Sequence, residues 1–151
     1  MKRNDIFLWS FIILVLGVAD RLTKLMALRM LVRNQINTFL SFDFMLNRGI
    51  SWGMFHDSSE TIFTLVSCAV IIVCAILAGI AYRRYQEDKC IAGELLVLCG
   101  AVSNIIDRMI YSGVVDFIVV TIGDWTFPVF NLADVYIVVG VATMFVMYAR
   151  E

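Results

Sequence analysis

The chain lacks most of the parts that hydrolytic enzymes assemble. It has one histidine, His56, and its four cysteines, Cys68, Cys74, Cys90 and Cys99, form no Cys-x-x-Cys pair. Zinc needs about four nitrogen or sulfur ligands at close spacing, so neither a metal centre nor a disulfide framework is expected. Cys68, Cys74 and Cys99 fall within apolar runs and read as small buried hydrophobes. Ser103 and Ser112 have no histidine beside them, which leaves His56 as the sole candidate base for a nucleophilic triad. Charge is also scarce: 17% of residues are charged, against about 25% in a soluble chain. The net charge is −1, with no basic stripe and no interleaved aromatics, so nucleic acid is set aside as a partner.

Apolar residues are what the chain has in excess. They make up 61% of its 151 residues, and the mean hydropathy is +0.86. They gather in four segments, at about 6–26, 61–82, 91–111 and 129–148. Each is about 20 residues long, enough for a helix to cross a hydrocarbon core about 30 Å thick. Runs of this length do not suit barrel strands of about ten alternating residues. The expectation is a single membrane domain over residues 1–151, α-helical, with four transmembrane helices. The first segment is read as a retained span, because Asp20-Arg21 follows it without a small-x-small cleavage site.

The connections carry a second signal. Phe39 to Asn47 alternates, with Leu40, Phe42, Phe44 and Leu46 on one face and Ser41, Asp43 and Asn47 on the other, which predicts a strand. Val114 to Ile122 is rich in β-branched residues, and Gly123-Asp124 suits a two-residue hairpin turn before Trp125. A small sheet formed from the two outer connections is therefore expected. The middle connection is short and charged, from Arg83 to Lys89. Lys2, Arg3, Arg83, Arg84, Lys89 and Arg150 would share one side, with Arg29, Arg33 and Arg48 on the other. This bias favours cytoplasmic termini and an extracytoplasmic sheet.

With that topology, four aspartates converge. Asp20 ends the first segment, Asp107 ends the third, Asp116 follows it and Asp134 opens the fourth, so all fall at the outer face. Asn47, Asn104 and Asn131 join them. Each aspartate alone has an ordinary explanation. Asp20 and Lys24 are spaced for a helix ion pair, and Asp134 would be stabilised by a helix dipole. Ionisable groups at membrane depth are costly, however, and their convergence points to a site. Two close carboxylates share one proton, which suffices for aspartyl proteolysis: the ionised member takes a proton from water and the protonated member donates to the scissile carbonyl.

The motifs that carry these residues are Asp20-Arg-Leu-Thr-Lys24, Asn47-Arg-Gly-Ile-Ser-Trp-Gly53, Ser103-Asn-Ile-Ile-Asp-Arg108, Gly113-Val-Val-Asp-Phe-Ile118 and Phe130-Asn-Leu-Ala-Asp134. In this order the chain resembles a type II signal peptidase, the bacterial lipoprotein signal peptidase, over nearly its whole length. The resemblance implies a catalytic pair of Asp116 and Asp134. It implies a site shaped by Asn47, Gly49, Asn104, Asp107, Arg108 and Asn131, with Asp20 and Lys24 near its rim. It further implies no cofactor, a location in the bacterial inner membrane among membrane lipids, and a diacylglyceryl-modified prolipoprotein substrate cleaved before its lipidated cysteine. A monomer is the expected state. Cys99 and Ser103 replace two glycines common in the family, which predicts slightly wider helix packing there, and Trp52 suits a lipid interface. A proton-coupled transporter and a non-catalytic scaffold are the rival readings. Transporter sites lie near the midplane within repeated architectures, and no repeat is visible here.

Overall fold

The computed structural model describes residues 3–29, 34–49 and 60–151. Trp52 and His56, and with them the second half of the Asn47–Gly53 motif, lie outside the described residues, as does Arg33. Four helices and a small sheet follow one another: α1 (Arg3–Ala27), β1 (Asn34–Gln35), β2 (Leu40–Asn47), α2 (Glu60–Gln86), α3 (Ala92–Tyr111), β3 (Val114–Ile122), β4 (Trp125–Thr126) and α4 (Leu132–Tyr148). All four expected helices form where the apolar segments lie.

Among the described residues, α2 is the one helix long and apolar enough to cross a membrane, with a mean hydropathy of 2.8 in its best window. The 17 residues of α4 are apolar but fewer. Asp20, Arg21 and Lys24 interrupt α1, and Glu94, Asp107 and Arg108 interrupt α3. The outward faces remain apolar: Phe11, Leu14, Ile72, Val138 and Phe145 are all exposed, whereas Asp20, Lys24, Glu94 and Asp107 are buried. Apolar side chains outside and charges inside is the reverse of a water-soluble fold.

The sheet has the order β1-β2-β3-β4 and is antiparallel throughout. Gly123, with φ +61°, turns β3 into β4 at the expected two-residue hairpin. In β2 the strict alternation read from the sequence is broken. Phe42 pairs with Ile118, but Met45 pairs with Asp116, so one extra residue is accommodated between them as a bulge. Paired residues share a face, and β3 presents Val114, Asp116 and Ile118 on one face. Asn47, paired with Val114, is thereby turned to the face that carries Asp116. Ala27 at the end of α1 packs with Val115 and Phe117 to anchor the sheet on the helices.

α3 is the central helix and packs most extensively against α4. Gly93, Gly100 and Gly140 allow this approach. A Cβ on Gly93 would lie 2.8 Å from the Gly140 carbonyl oxygen, and one on Gly140 would lie 2.7 Å from that of Gly93. Cys99 and Ser103, the two replaced glycines, face α1 instead: Cys99 Sγ lies 3.7 Å from the Ile13 carbonyl, and Ser103 donates to Asp20. The cysteines are not core residues, since Cys68 is exposed and the other three are half-buried.

At the end of the bundle opposite Asp134, α2, α3 and the chain after α4 are tied together. Arg84 lies within α2 and is buried rather than part of a solvated loop. Its Nε is 2.8 Å from Glu94, its other nitrogens donate to both carboxylate oxygens of Glu151, and it stacks 4.0 Å from the Tyr148 ring centroid. Tyr148 donates to the fully buried Glu94 at 2.8 Å. Tyr148→Phe should therefore cost about 1 kcal/mol, measurable as a small fall in unfolding temperature in detergent with no change in activity.

Candidate active site

Asp134 is placed by the start of α4. Asn131 caps this helix, accepting from the Asp134 N–H at 3.0 Å, while the Asp134 carboxylate accepts from the Asn131 N–H at 3.1 Å. This is a reciprocal capping box with aspartate in the third position. Asp20, reaching across from α1, accepts the Ala133 N–H at 2.9 Å. Three side chains thus accept the N–H groups of Asn131, Ala133 and Asp134 at the start of the helix.

Asp116 reaches the same place from the sheet. Phe130, immediately before the cap, bridges to Ile118: the Ile118 N–H donates to the Phe130 carbonyl at 2.8 Å, and the Phe130 N–H donates back at 3.1 Å. The start of α4 is therefore held in register with β3. The Asn131 Nδ2 donates to Asp116 Oδ1 at 2.7 Å and to Asn104 Oδ1 at 3.3 Å. Asn104 in turn donates to Asp134 Oδ1 at 2.9 Å. From β2, Asn47 donates to the other oxygen of Asp116 at 2.9 Å, and its own oxygen accepts the Gly49 N–H at 2.9 Å. All four carboxylate oxygens of the pair accept at least one hydrogen bond, and each comes from an uncharged amide group.

Arg108 donates to the carbonyls of Arg48 and Gly49, which fixes the chain just beyond Asn47. Asp107 and Arg108, adjacent in sequence, point to different partners. Asp107 is 2.8 Å from Lys24 and 2.7 Å from Arg21, and it accepts the Val115 N–H at 3.2 Å, next to Asp116. Lys24 is 3.0 Å from Asp20, the ion pair expected from their spacing. It also donates to Asn104 Oδ1 at 2.7 Å.

The fold thus gathers Asp20, Lys24, Asn47, Gly49, Asn104, Asp107, Arg108, Asp116, Asn131 and Asp134 into one connected network. One placement differs from the expectation. Asp20 and Lys24 do not lie at a rim: at 0% and 1% exposure they are buried behind the pair. Compensating charge explains this, because two cations and two anions interlock there. Arg21 and Ser103, which were not among the expected site residues, complete that layer, with Arg21 donating to Ser103 Oγ at 2.8 Å. The signal was present, since both fall inside the quoted motifs.

Asp116 is 2% exposed. Burial first, and the Asp134 charge second, push its carboxyl up to about 7, against the lowering effect of the Asn47 and Asn131 hydrogen bonds. The pair faces a cleft of about 430 Å³. Asn47, Asn104 and Arg108 line its polar end, and Val70, Ile137 and Val138 line its apolar side. Among the described residues no three histidine, cysteine, aspartate or glutamate side chains come together as a metal ligand set.

A family described as signal peptidase (SPase) II matches residues 12–150. The chain belongs to the signal peptidase II family. Its relatives include the lipoprotein signal peptidase of Clostridium tetani, 33% identical over 149 residues, covering 94% of this chain and 93% of that one. That of Teredinibacter turnerae is 35% identical over 143 residues, covering 90% and 83%. The fold matches a solved bacterial membrane enzyme with a TM-score of 0.78 at 23% identity, over 96% of this chain and 89% of that one. Membership makes the chain an aspartic-type peptidase and removes the transporter and scaffold readings.

Proposed function

We propose that the chain removes signal peptides from diacylglyceryl-modified prolipoproteins, cutting before the lipidated cysteine, with Asp116 and Asp134 as the catalytic pair. The observation that carries this reading is the pair itself: two carboxylates from different elements, bridged by Asn131, at the head of a largely apolar cleft. Val70 of α2 and Val138 of α4 both line that cleft, which suits acyl chains and an apolar signal segment. The apolar exterior supports four spans in the bacterial inner membrane, with cytoplasmic termini and the pair at the extracytoplasmic face.

The chemistry needs only the pair, water and the peptide. The ionised aspartate takes a proton from water as the water oxygen attacks the scissile carbonyl carbon. The protonated aspartate gives its proton to the carbonyl oxygen, forming a neutral gem-diol. On collapse the first aspartate protonates the leaving nitrogen, the second recovers a hydroxyl proton, and the C–N bond breaks. One proton is again shared. Asn104, Asn131 and Asn47 orient the carboxylates by hydrogen bonds and remain unchanged throughout.

The test is cleavage by purified protein in detergent, followed on a gel. A lipid-modified prolipoprotein should be cut before its modified cysteine, and the same precursor without lipid should remain whole. Failure on a precursor shown to be lipidated would reject the substrate assignment.

A further inference from the structure

The two carboxylates of the pair are supported unequally. Asp134 lies at the third position of α4, where the helix dipole and the Asn131 N–H both favour negative charge. Its other oxygen accepts from Asn104. The oxygen of that same carboxamide accepts from the Lys24 ammonium at 2.7 Å. A cation on the oxygen of an amide draws electrons from its nitrogen and strengthens the N–H as a donor. Asp116 has neither support: it lies on a strand, and its donors are the side chains of Asn47 and Asn131.

We propose that Lys24, acting through the Asn104 carboxamide, fixes Asp134 as the ionised member of the pair and leaves the shared proton on Asp116. Asp134 is then the base that takes the proton from water, and Asp116 the acid that gives one to the carbonyl oxygen. Lys24 touches neither carboxylate by a hydrogen bond, so its role is positioning and polarisation. This assignment rests on the peptidase reading above.

Through space Lys24 favours negative charge on both aspartates, so what distinguishes them is its bonded path through Asn104 to Asp134. From α1, Asp20 opposes negative charge on Asp134, but it is itself paired with Lys24. Asp107 is held by Lys24 and Arg21. From α3, Arg108 favours negative charge on Asp116 through space, yet its guanidinium is committed to the Arg48 and Gly49 carbonyls. The Asp116 carboxyl is raised to about 7, by burial first and by the Asp134 charge second, and so keeps a proton well above the ordinary carboxylate range.

The experiment is the pH profile of cleavage, with kcat and KM separated, for wild type, Asn104→Ala, the charge-balanced Lys24→Met/Asp20→Asn, and all three substitutions together. The acid limb reports protonation of the ionised member. In the balanced variant it should move up by about one pH unit, a tenfold change in proton affinity, with kcat lowered and KM unchanged. On the Asn104→Ala background, removing Lys24 and Asp20 should add no further shift. A folded balanced variant with an unmoved acid limb overturns the proposal, as does an equal shift with and without Asn104. If the balanced variant does not fold, Lys24→Gln replaces it: an upward shift at constant KM that is present with Asn104 and absent on the Asn104→Ala background supports the relay, and an unmoved limb or an equal shift on both backgrounds overturns it. Wild type that cleaves nothing, or a folded Asp116→Asn that still cleaves, brings down the peptidase reading and this assignment with it. A wild type that depends on the pair but shows no such shift removes only the assignment.

Discussion

Asp116→Asn and Asp134→Asn should each lower cleavage by about a thousand-fold or more while leaving the fold intact. Acid–base participation alone is worth about 100- to 10,000-fold, and residues acting as a unit fail together. Either asparagine keeps the size of the side chain and can still accept through its oxygen, so neighbouring amides keep most of their partners. Thermal unfolding beside the gel assay separates lost chemistry from lost structure. A folded variant retaining full activity would remove the pair from the mechanism.

The same substitution carries a stability signature. The Asp116 carboxyl lies at about 7 in the folded chain, above its ordinary value of 3.8. Between those values the folded chain binds a proton that the unfolded chain releases, so the stability from this group is fully present below about pH 4 and lost as pH rises through about 7. Asparagine has no such dependence. Asp116→Asn should therefore gain on wild type as pH rises, with a larger advantage in unfolding temperature at pH 8 than at pH 5. An advantage independent of pH would show that the carboxyl does not titrate in this range.

Gly100→Val should also lower activity strongly, without touching a carboxylate. A Cβ at Gly100 would lie 2.2 Å from the Ala133 carbonyl oxygen and 2.8 Å from Ile137. The obstacle is backbone, so α4 must move away from α3, and Asp134 begins that helix. Overpacking of this kind costs about 1–3 kcal/mol, and a displacement of about 1 Å at a reacting group costs about 100-fold in rate. The expected result is cleavage down by about 100-fold with a lower unfolding temperature. Gly79→Ala is the control, because nothing lies within 4 Å of its new Cβ. Equal effects from the two would mean that helix composition, not the α3–α4 approach, is responsible.

The helices, the hairpin and the convergence of the aspartates were legible because each follows from local pattern: apolar runs, β-branched runs and the alternating direction of consecutive helices. Three features were not. The bulge in β2 depends on pairing with Asp116 and its neighbours, and the alternation of Phe39 to Asn47 gives no sign of it. The depth of Lys24 is set by partners from α3, so its spacing from Asp20 predicts the ion pair but not its burial. Arg84 reads as part of a short charged connection and Glu94 stands out in no local pattern, and only the meeting of three elements makes them a buried cluster. Local pattern specifies elements; burial of charge is decided by what other elements bring to it.

The fastening of α2 at one end has a mechanical consequence. Its two buried residues, Ala81 and Arg84, lie near that end, and Arg84 makes the clamp with Glu94 and Glu151. Near the cleft the ties among the described residues are the exposed Arg48–Glu60 pair and Phe63 beneath two guanidinium groups. A helix of 27 residues is about 40 Å long, so pivoting by about 5° at the clamp carries its far end about 3.5 Å. The lever bears one wall of the cleft, while both carboxylates ride on β3 and α4. A wall that swings beside a stationary pair can admit cargo of uneven girth without disturbing the geometry of the cut.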